Sequence, residues 1–179
     1  MERSSFLTPA SVVAAAQVRE GMRVADFGAG AGFFSRAAAR AVGTSGVVWA
    51  VDAQKDLLPR IKNMSEEEGL TNVEVIAGHI DVVGGTHLPA HSFDLVIAAN
   101  VLFAVADKHE CVAEMRRILK PGGQVLLVDW SDSHGGLGPH PDHVLTEEDA
   151  KKLLEGQSFA VVRPIPAGTF HWGFLARKQ

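Results

Sequence analysis

The stretch Val24-Ala25-Asp26-Phe27-Gly28-Ala29-Gly30-Ala31-Gly32-Phe33-Phe34 decides the fold. An apolar run over 22–27 meets three glycines at alternate positions, and an alanine-rich segment over 35–42 follows. This order predicts strand, tight turn, helix. Glycine suits the turn because it reaches backbone angles closed to other residues and lets a ligand approach without a Cβ in the way. The turn empties onto a helix N-terminus, whose free N–H groups and positive dipole end attract anionic or electron-rich atoms. The stretch is therefore expected to cradle a small molecule.

The spacing of the glycines separates two kinds of ligand. A dinucleotide fingerprint places its third glycine three residues after the second, where this chain has Phe33; its own third glycine is Gly32. An NAD-dependent oxidoreductase is disfavoured on that count. Asp26 stands two positions ahead of Gly28, and the pattern Asp26-x-Gly28-x-Gly30-x-Gly32 resembles motif I of class I S-adenosylmethionine-dependent methyltransferases.

Beyond this stretch, Val47-Val48-Trp49-Ala50-Val51 forms a second β-rich run ending on Asp52, 20 residues past Gly32. A carboxylate there is placed to accept hydrogen bonds from both hydroxyls of a ribose. The alternative, a capping aspartate at a strand end, loses weight beside the glycine turn. A helix over 56–68 follows, with Asp56 as its cap. Pro59 then falls in the first turn, where its missing N–H has no partner to lose. A third strand over 73–77 leads into Gly78-His79-Ile80-Asp81, and a fourth, nearly all apolar, over 92–99 ends at Asn100. Such a strand is expected to be buried on both faces. Asp107 and Glu110 form a capping box ahead of a helix with Val112, Met115, Ile118 and Leu119 on one face. Cys111 in that helix reads as packing.

The segment Arg117-Ile118-Leu119-Lys120-Pro121-Gly122-Gly123, ahead of a strand over 124–130, resembles the helix-to-fifth-strand junction of class I methyltransferases. With the glycine turn, Asp52 and Ser92-Phe93-Asp94, it extends the resemblance over most of 20–130. The resemblance implies a three-layer α/β/α, doubly wound, mixed seven-stranded sheet in the order 3-2-1-4-5-7-6, with strand 7 antiparallel. It implies S-adenosylmethionine as cofactor, bound by Asp26, Gly28, Ala29, Gly30, Gly32, Asp52, Ala53, His79, Ile80 and Asn100. Where the family has a Gly-Asp pair after the third strand, this chain has Gly78-His79, so the group that reads the adenine amine stays open between His79 and Asp81. Asn100 either holds substrate or caps the next turn. It is followed by Val101-Leu102-Phe103 rather than by Pro-Pro-aromatic, which disfavours methylation of nucleobase amino groups.

Residues 131–144 are irregular and carry His134, His140 and His143. Their place after a strand end suggests a lid or substrate wall. The histidines lack helical i, i+4 spacing, and no metal is expected. A helix capped by Thr146 and two closing strands, 159–162 and 169–176, complete the chain, and the short connection makes those strands antiparallel neighbours. His171 in the last strand reads as a packed or edge histidine. His134, His140 and Asp129 are candidate bases by position only, and no catalytic residue is assigned.

Length and charge set the remaining expectations. At 179 residues the chain makes one domain, 1–179, with a short helix over about 8–18 as an appendage. A net charge of −4 and a pI near 6.0 give no broad basic field, so a small-molecule acceptor is expected rather than nucleic acid. A single cysteine makes no internal disulfide, and a cytoplasmic setting fits it. The apolar run 6–16 imitates a secretory leader, but Glu2 and Arg3 cancel and Thr8, Pro9 and Ser11 interrupt it. No run approaches a membrane-spanning length. The expected activity is methyl transfer to a small acceptor; its rivals are a non-catalytic S-adenosylmethionine-binding protein and, further off, an NAD-dependent oxidoreductase.

Overall fold

The protein was studied as a computed structural model that describes residues 6–179; Glu2 and Arg3 lie outside the described residues. Seven strands, β1 (Arg23–Phe27), β2 (Val47–Asp52), β3 (Val73–Ala77), β4 (Phe93–Ala99), β5 (Leu119–Trp130), β6 (Phe159–Pro164) and β7 (His171–Lys178), form one sheet. Its order is β3-β2-β1-β4-β5-β7-β6, and β7 runs antiparallel to both of its neighbours. Five helices, α1 (Pro9–Ala15), α2 (Phe33–Val42), α3 (Leu57–Glu67), α4 (Lys108–Ile118) and α5 (Glu147–Glu155), cover its two faces.

The central strands are mainly apolar because each face of the sheet has its own core. Along β4, Leu95 and Ile97 join a cluster with Val12, Ala38, Val42 and Ile61. The alternate residues Val96 and Ala98 join Val112, Met115, Ile118 and Leu154 on the other side. A period of two along the strand thus supplies both layers. The central pairing is parallel, with Val24 registered against Val48 on one side and Leu95 on the other.

Helix boundaries follow local chemistry. Pro59 sits in the first turn of α3 as expected. At the other end Gly69 N–H donates to Glu66 O and Leu70 N–H to Ser65 O, a paired closure that satisfies two last-turn carbonyls. Two expectations are corrected. The first helix stops at Ala15 rather than near Val18, and the Thr8 side chain makes no cap bond. The capping box at Asp107 is half made: Asp107 Oδ1 accepts from Glu110 N–H at 3.0 Å, but the Glu110 carboxylate accepts from Val83 N–H instead of reaching back.

The break at 120–123 also differs from expectation. Leu119 already pairs with Phe93 and the ladder resumes at Gln124 against Leu95, so four residues loop out opposite Asp94. Asp94 anchors the loop, taking Lys120 Nζ at 2.7 Å and Arg23 N–H at 2.8 Å.

Candidate functional site

The C-terminal ends of β1, β2, β3 and β4 converge on one edge, where chain direction switches on either side of β1. Two cavities meet there, both lined by Gly28 and Gly30. One, of about 410 Å³, is bounded by Asp52, Ala53, His79, Ile80, Asp81 and Val101. The other, of about 560 Å³, is bounded by Asp26, Ala29, Phe33, Phe34, Asn100 and His171, with Phe6, Leu7 and Pro9 closing one side. A groove of about 380 Å³ at the opposite end of the strands, around Arg19, Lys120 and Arg177, touches none of these residues.

The glycine turn directs its own N–H groups inward. Gly28 and Ala29 N–H both donate to Val51 O, at 2.9 and 3.1 Å, and Gly30 N–H donates to Asp52 Oδ2 at 2.9 Å. Its donors are therefore spent on the end of β2, which fixes the Asp52 carboxylate. A second donor, Gln54 N–H at 2.9 Å, holds Oδ1. The absent side chains serve separate ends. A Cβ on Gly28 would lie 2.4 Å from Val101 Cγ2, and one on Gly32 2.9 Å from Ile61 Cγ2, so these two permit close packing. Only around Gly30 is the space open enough for a ligand, the nearest atom to such a Cβ being 3.9 Å away.

Asp26 is 2% exposed, and burial pushes its carboxyl up to about 7 against the pull of Ser35, whose hydroxyl donates to Oδ2 at 2.6 Å. The nearby Asp52 charge adds to the rise. Across the lobe, Asn100 holds a left-handed backbone at φ 55°. Among the described residues its buried Oδ1 finds no hydrogen-bond donor. Such an atom costs about 1–3 kcal/mol.

Nine of the ten sequence-predicted residues line the two cavities, and Gly32 lines neither. Gly32 is set back, serving the junction of α2 with α3 through Ile61. His79 is exposed and Asp81 half-buried, and both line the smaller cavity. The candidate bases fare differently. Asp129 is fully buried, its carboxylate accepting Phe103 N–H at 3.1 Å and Trp130 N–H at 2.9 Å, and burial raises its pKa to about 6. It braces the 3-10 turn Leu102–Ala104. His140 points to solvent beside Asp142, and His134 packs on Trp130 and Phe170. Residues 131–144 do not line the larger lobe; Phe6, Leu7 and Pro9 take the place expected of that loop. His171, expected as a packed or edge histidine, packs on Trp130 and also lines the lobe, with both ring nitrogens buried and, among the described residues, unpartnered. Its alternation with Trp172 was the available signal, readable only once the neighbouring strand is known.

Comparison with known proteins agrees with this geometry. A family profile described as "Methyltransferase domain" matches residues 18–163. The ubiquinone/menaquinone biosynthesis C-methyltransferase UbiE of Burkholderia vietnamiensis is 33% identical over 122 residues, 68% of this chain and 49% of the relative. The chain thus spans about half the length of the curated relatives it matches. A crystal structure of a SAM-dependent methyltransferase from Aquifex aeolicus superposes with a TM-score of 0.88 at 27% identity, over 98% of this chain and 92% of that one. The [4+2]-cyclase SpnF superposes with a TM-score of 0.77 at 16% identity, over 93% and 78%. That likeness shows the fold alone. The match over residues 18–163, on a sheet of this order, makes the chain a member of the methyltransferase-domain family, with the class I Rossmann-like fold.

Proposed function

We propose that the chain carries a methyl group from S-adenosylmethionine to a small-molecule acceptor. One observation supports this most: a carboxylate held by two backbone donors lines one lobe, and a buried carboxylate and an orphaned amide oxygen line the adjoining one, across Gly28 and Gly30. That donor and acceptor set fits a nucleoside joined to an amino acid. Asp52 spends two of about four acceptor sites on the backbone and keeps the rest for ribose hydroxyls. Ile80 and Val101 offer apolar walls for a purine, with Ala53 at the rim. Asp81, half-buried and an acceptor only, suits the exocyclic amine better than the exposed His79. In the larger lobe, Asp26 and Asn100 Oδ1 suit an ammonium group.

S-adenosylmethionine supplies a methyl group already activated on a sulfonium, so the chain needs no nucleophile of its own. The protein's contribution is to hold an acceptor in line and keep water out, which can supply roughly 7–11 kcal/mol. The apolar walls of the larger lobe, from Phe6, Leu7, Phe33 and Phe34, serve both ends. The relatives' C-methylation makes a carbon acceptor the first to test. A net charge of −4 argues against a nucleic-acid acceptor, and cores on both faces of one sheet support a single domain. Among the described residues no helix is long and apolar enough to cross a membrane. Cys111 is buried with its thiol pushed up to about 12 by burial, in keeping with a reducing, cytoplasmic setting.

Titration calorimetry with S-adenosylmethionine, S-adenosylhomocysteine and NAD, followed by transfer of radiolabelled methyl to candidate acceptors, tests this reading. Binding of both adenosyl ligands together with turnover is expected. NAD binding without them would defeat it, and adenosyl binding with no turnover would favour a non-catalytic binder.

A further inference from the structure

His171 is the first residue of β7 and pairs with Trp130 at the end of β5. Its ring lies against the Trp130 indole, centroids 4.3 Å apart and planes tilted by 38°. Both ring nitrogens are buried and, among the described residues, neither has a partner. Most buried polar groups in proteins are paired, so an imidazole with two idle nitrogens needs a reason. Burial, aided by His134, lowers its pKa and keeps the ring neutral, with one donor and one acceptor nitrogen.

The surroundings narrow what those nitrogens meet. Phe6, Leu7, Pro9, Phe33, Phe34 and Ala99 make the lobe mostly apolar. Asp26 is committed to the ammonium group in the methyl-transfer reading, and the apolar lining that remains offers an anionic acceptor no counter-charge. The torsion that turns an imidazole is broad, so a small rotation presents a nitrogen to the cavity at low cost. His171 thus lines an apolar chamber with its two idle nitrogens just behind the surface, suited to a neutral molecule carrying one polar hydrogen.

Resting on the methyl-transfer reading, we infer that His171 is the acceptor-positioning residue, and that the acceptor is an apolar, uncharged molecule whose hydroxyl donates to the imidazole. A group built to meet a hydroxyl rejects the analogue that lacks it, because a buried polar atom is then left unpaired.

The test uses the full chain, with and without S-adenosylhomocysteine, and three probes of similar size: 2-naphthol, 2-methoxynaphthalene and 2-naphthoate. Wild type is expected to bind 2-naphthol about tenfold or more tighter than the other two. With ¹⁵N-histidine labelling, the His171 ring resonances shift on adding 2-naphthol. In His171→Phe the preference over 2-methoxynaphthalene falls to about one, whereas His171→Gln keeps part of it; thermal melts establish that both variants fold. Equal binding of the three probes to wild type, no binding of any, or a preference that survives in His171→Phe overturns the inference. S-adenosylhomocysteine failing to bind wild type overturns the methyl-transfer reading; its binding with no hydroxyl preference overturns only the role of His171.

Discussion

Two carboxylates at the site answer to opposite environments. Asp52 is held by backbone N–H groups from Gly30 and Gln54, whereas Asp26 is buried and holds its proton to about 7. Between its ordinary 3.8 and about 7, native Asp26 keeps a proton that the unfolded chain has lost, so it lowers stability as pH rises through that window and no further above it. Asp26→Asn removes the decline. Above pH 7 the variant is expected to be more stable than wild type by on the order of 1–3 kcal/mol in urea unfolding, since Ser35 keeps an acceptor. The same change should weaken S-adenosylhomocysteine binding. Calorimetry should show wild-type affinity falling as pH drops below about 7, where Asp26 becomes protonated, and a flatter dependence in Asp26→Asn. Asp52→Asn should cost about 10- to 100-fold in S-adenosylhomocysteine affinity, the worth of one charge-assisted hydrogen bond. Asp52 was legible in the sequence because a strand end and a glycine turn both point to it. His171 was not, because its face depends on pairing with Trp130, 41 residues earlier.

At the level of elements, α4 fastens the edge of the site through one buried ion pair. Glu114 is fully buried and accepts from Gly84 N–H at 2.7 Å, from the Thr86 hydroxyl, and from Arg117 Nε and Nη2 at 2.7 and 2.8 Å. The loop after β3 is thereby tied to the helix. Burial alone would raise the Glu114 pKa, but the hydrogen bonds from Arg117, Thr86 and Gly84 outweigh it and the pKa falls below its ordinary 4.5. Its contribution is full above that value and is lost as pH falls through the lowered one. Glu114→Ala, which leaves Gly84 N–H and the Thr86 hydroxyl without their acceptor while Arg117 keeps its bond to Leu88 O, is expected to cost about 1–3 kcal/mol; Glu114→Gln should unfold with a shallower acid dependence below pH 4.5, read by circular dichroism. Helix α4 has a second fastening at its far end, where Lys178 Nζ donates to Arg116 O and Leu119 O, each at 2.7 Å. Neither fastening is written in helical periodicity. Glu114 is a charged residue outside the apolar set Val112, Met115, Ile118 and Leu119, and Lys178 reaches α4 from 59 residues beyond Leu119.

For the whole molecule, alternation of apolar strands with amphipathic helices made a covered sheet readable, and the glycine turn marked the strand end at which a ligand is cradled. Strand order came from family resemblance, because periodicity says nothing about which strands are neighbours. The lining by Phe6, Leu7 and Pro9 was hidden for a related reason: a segment that precedes the first strand can return to any edge. Ligand linkage offers a test at this scale. S-adenosylhomocysteine at 100 times its dissociation constant stabilises the native state by about 2.7 kcal/mol. For a chain of 179 residues that is a rise in Tm of about 5–11 °C, and NAD at the same concentration should leave Tm unchanged.

Phe6, Leu7 and Pro9 bound the larger lobe, while Lys178 lies beside the start of β5, at the other end of the sheet. A bulky substituent at Leu7 is therefore expected to crowd the larger lobe, whereas the same substituent at the exposed Arg177 leaves it clear. Leu7→Trp should change ligand affinity in calorimetry and Arg177→Trp should not, which makes the face bearing Arg177 the one to tether when the protein is immobilised for screening.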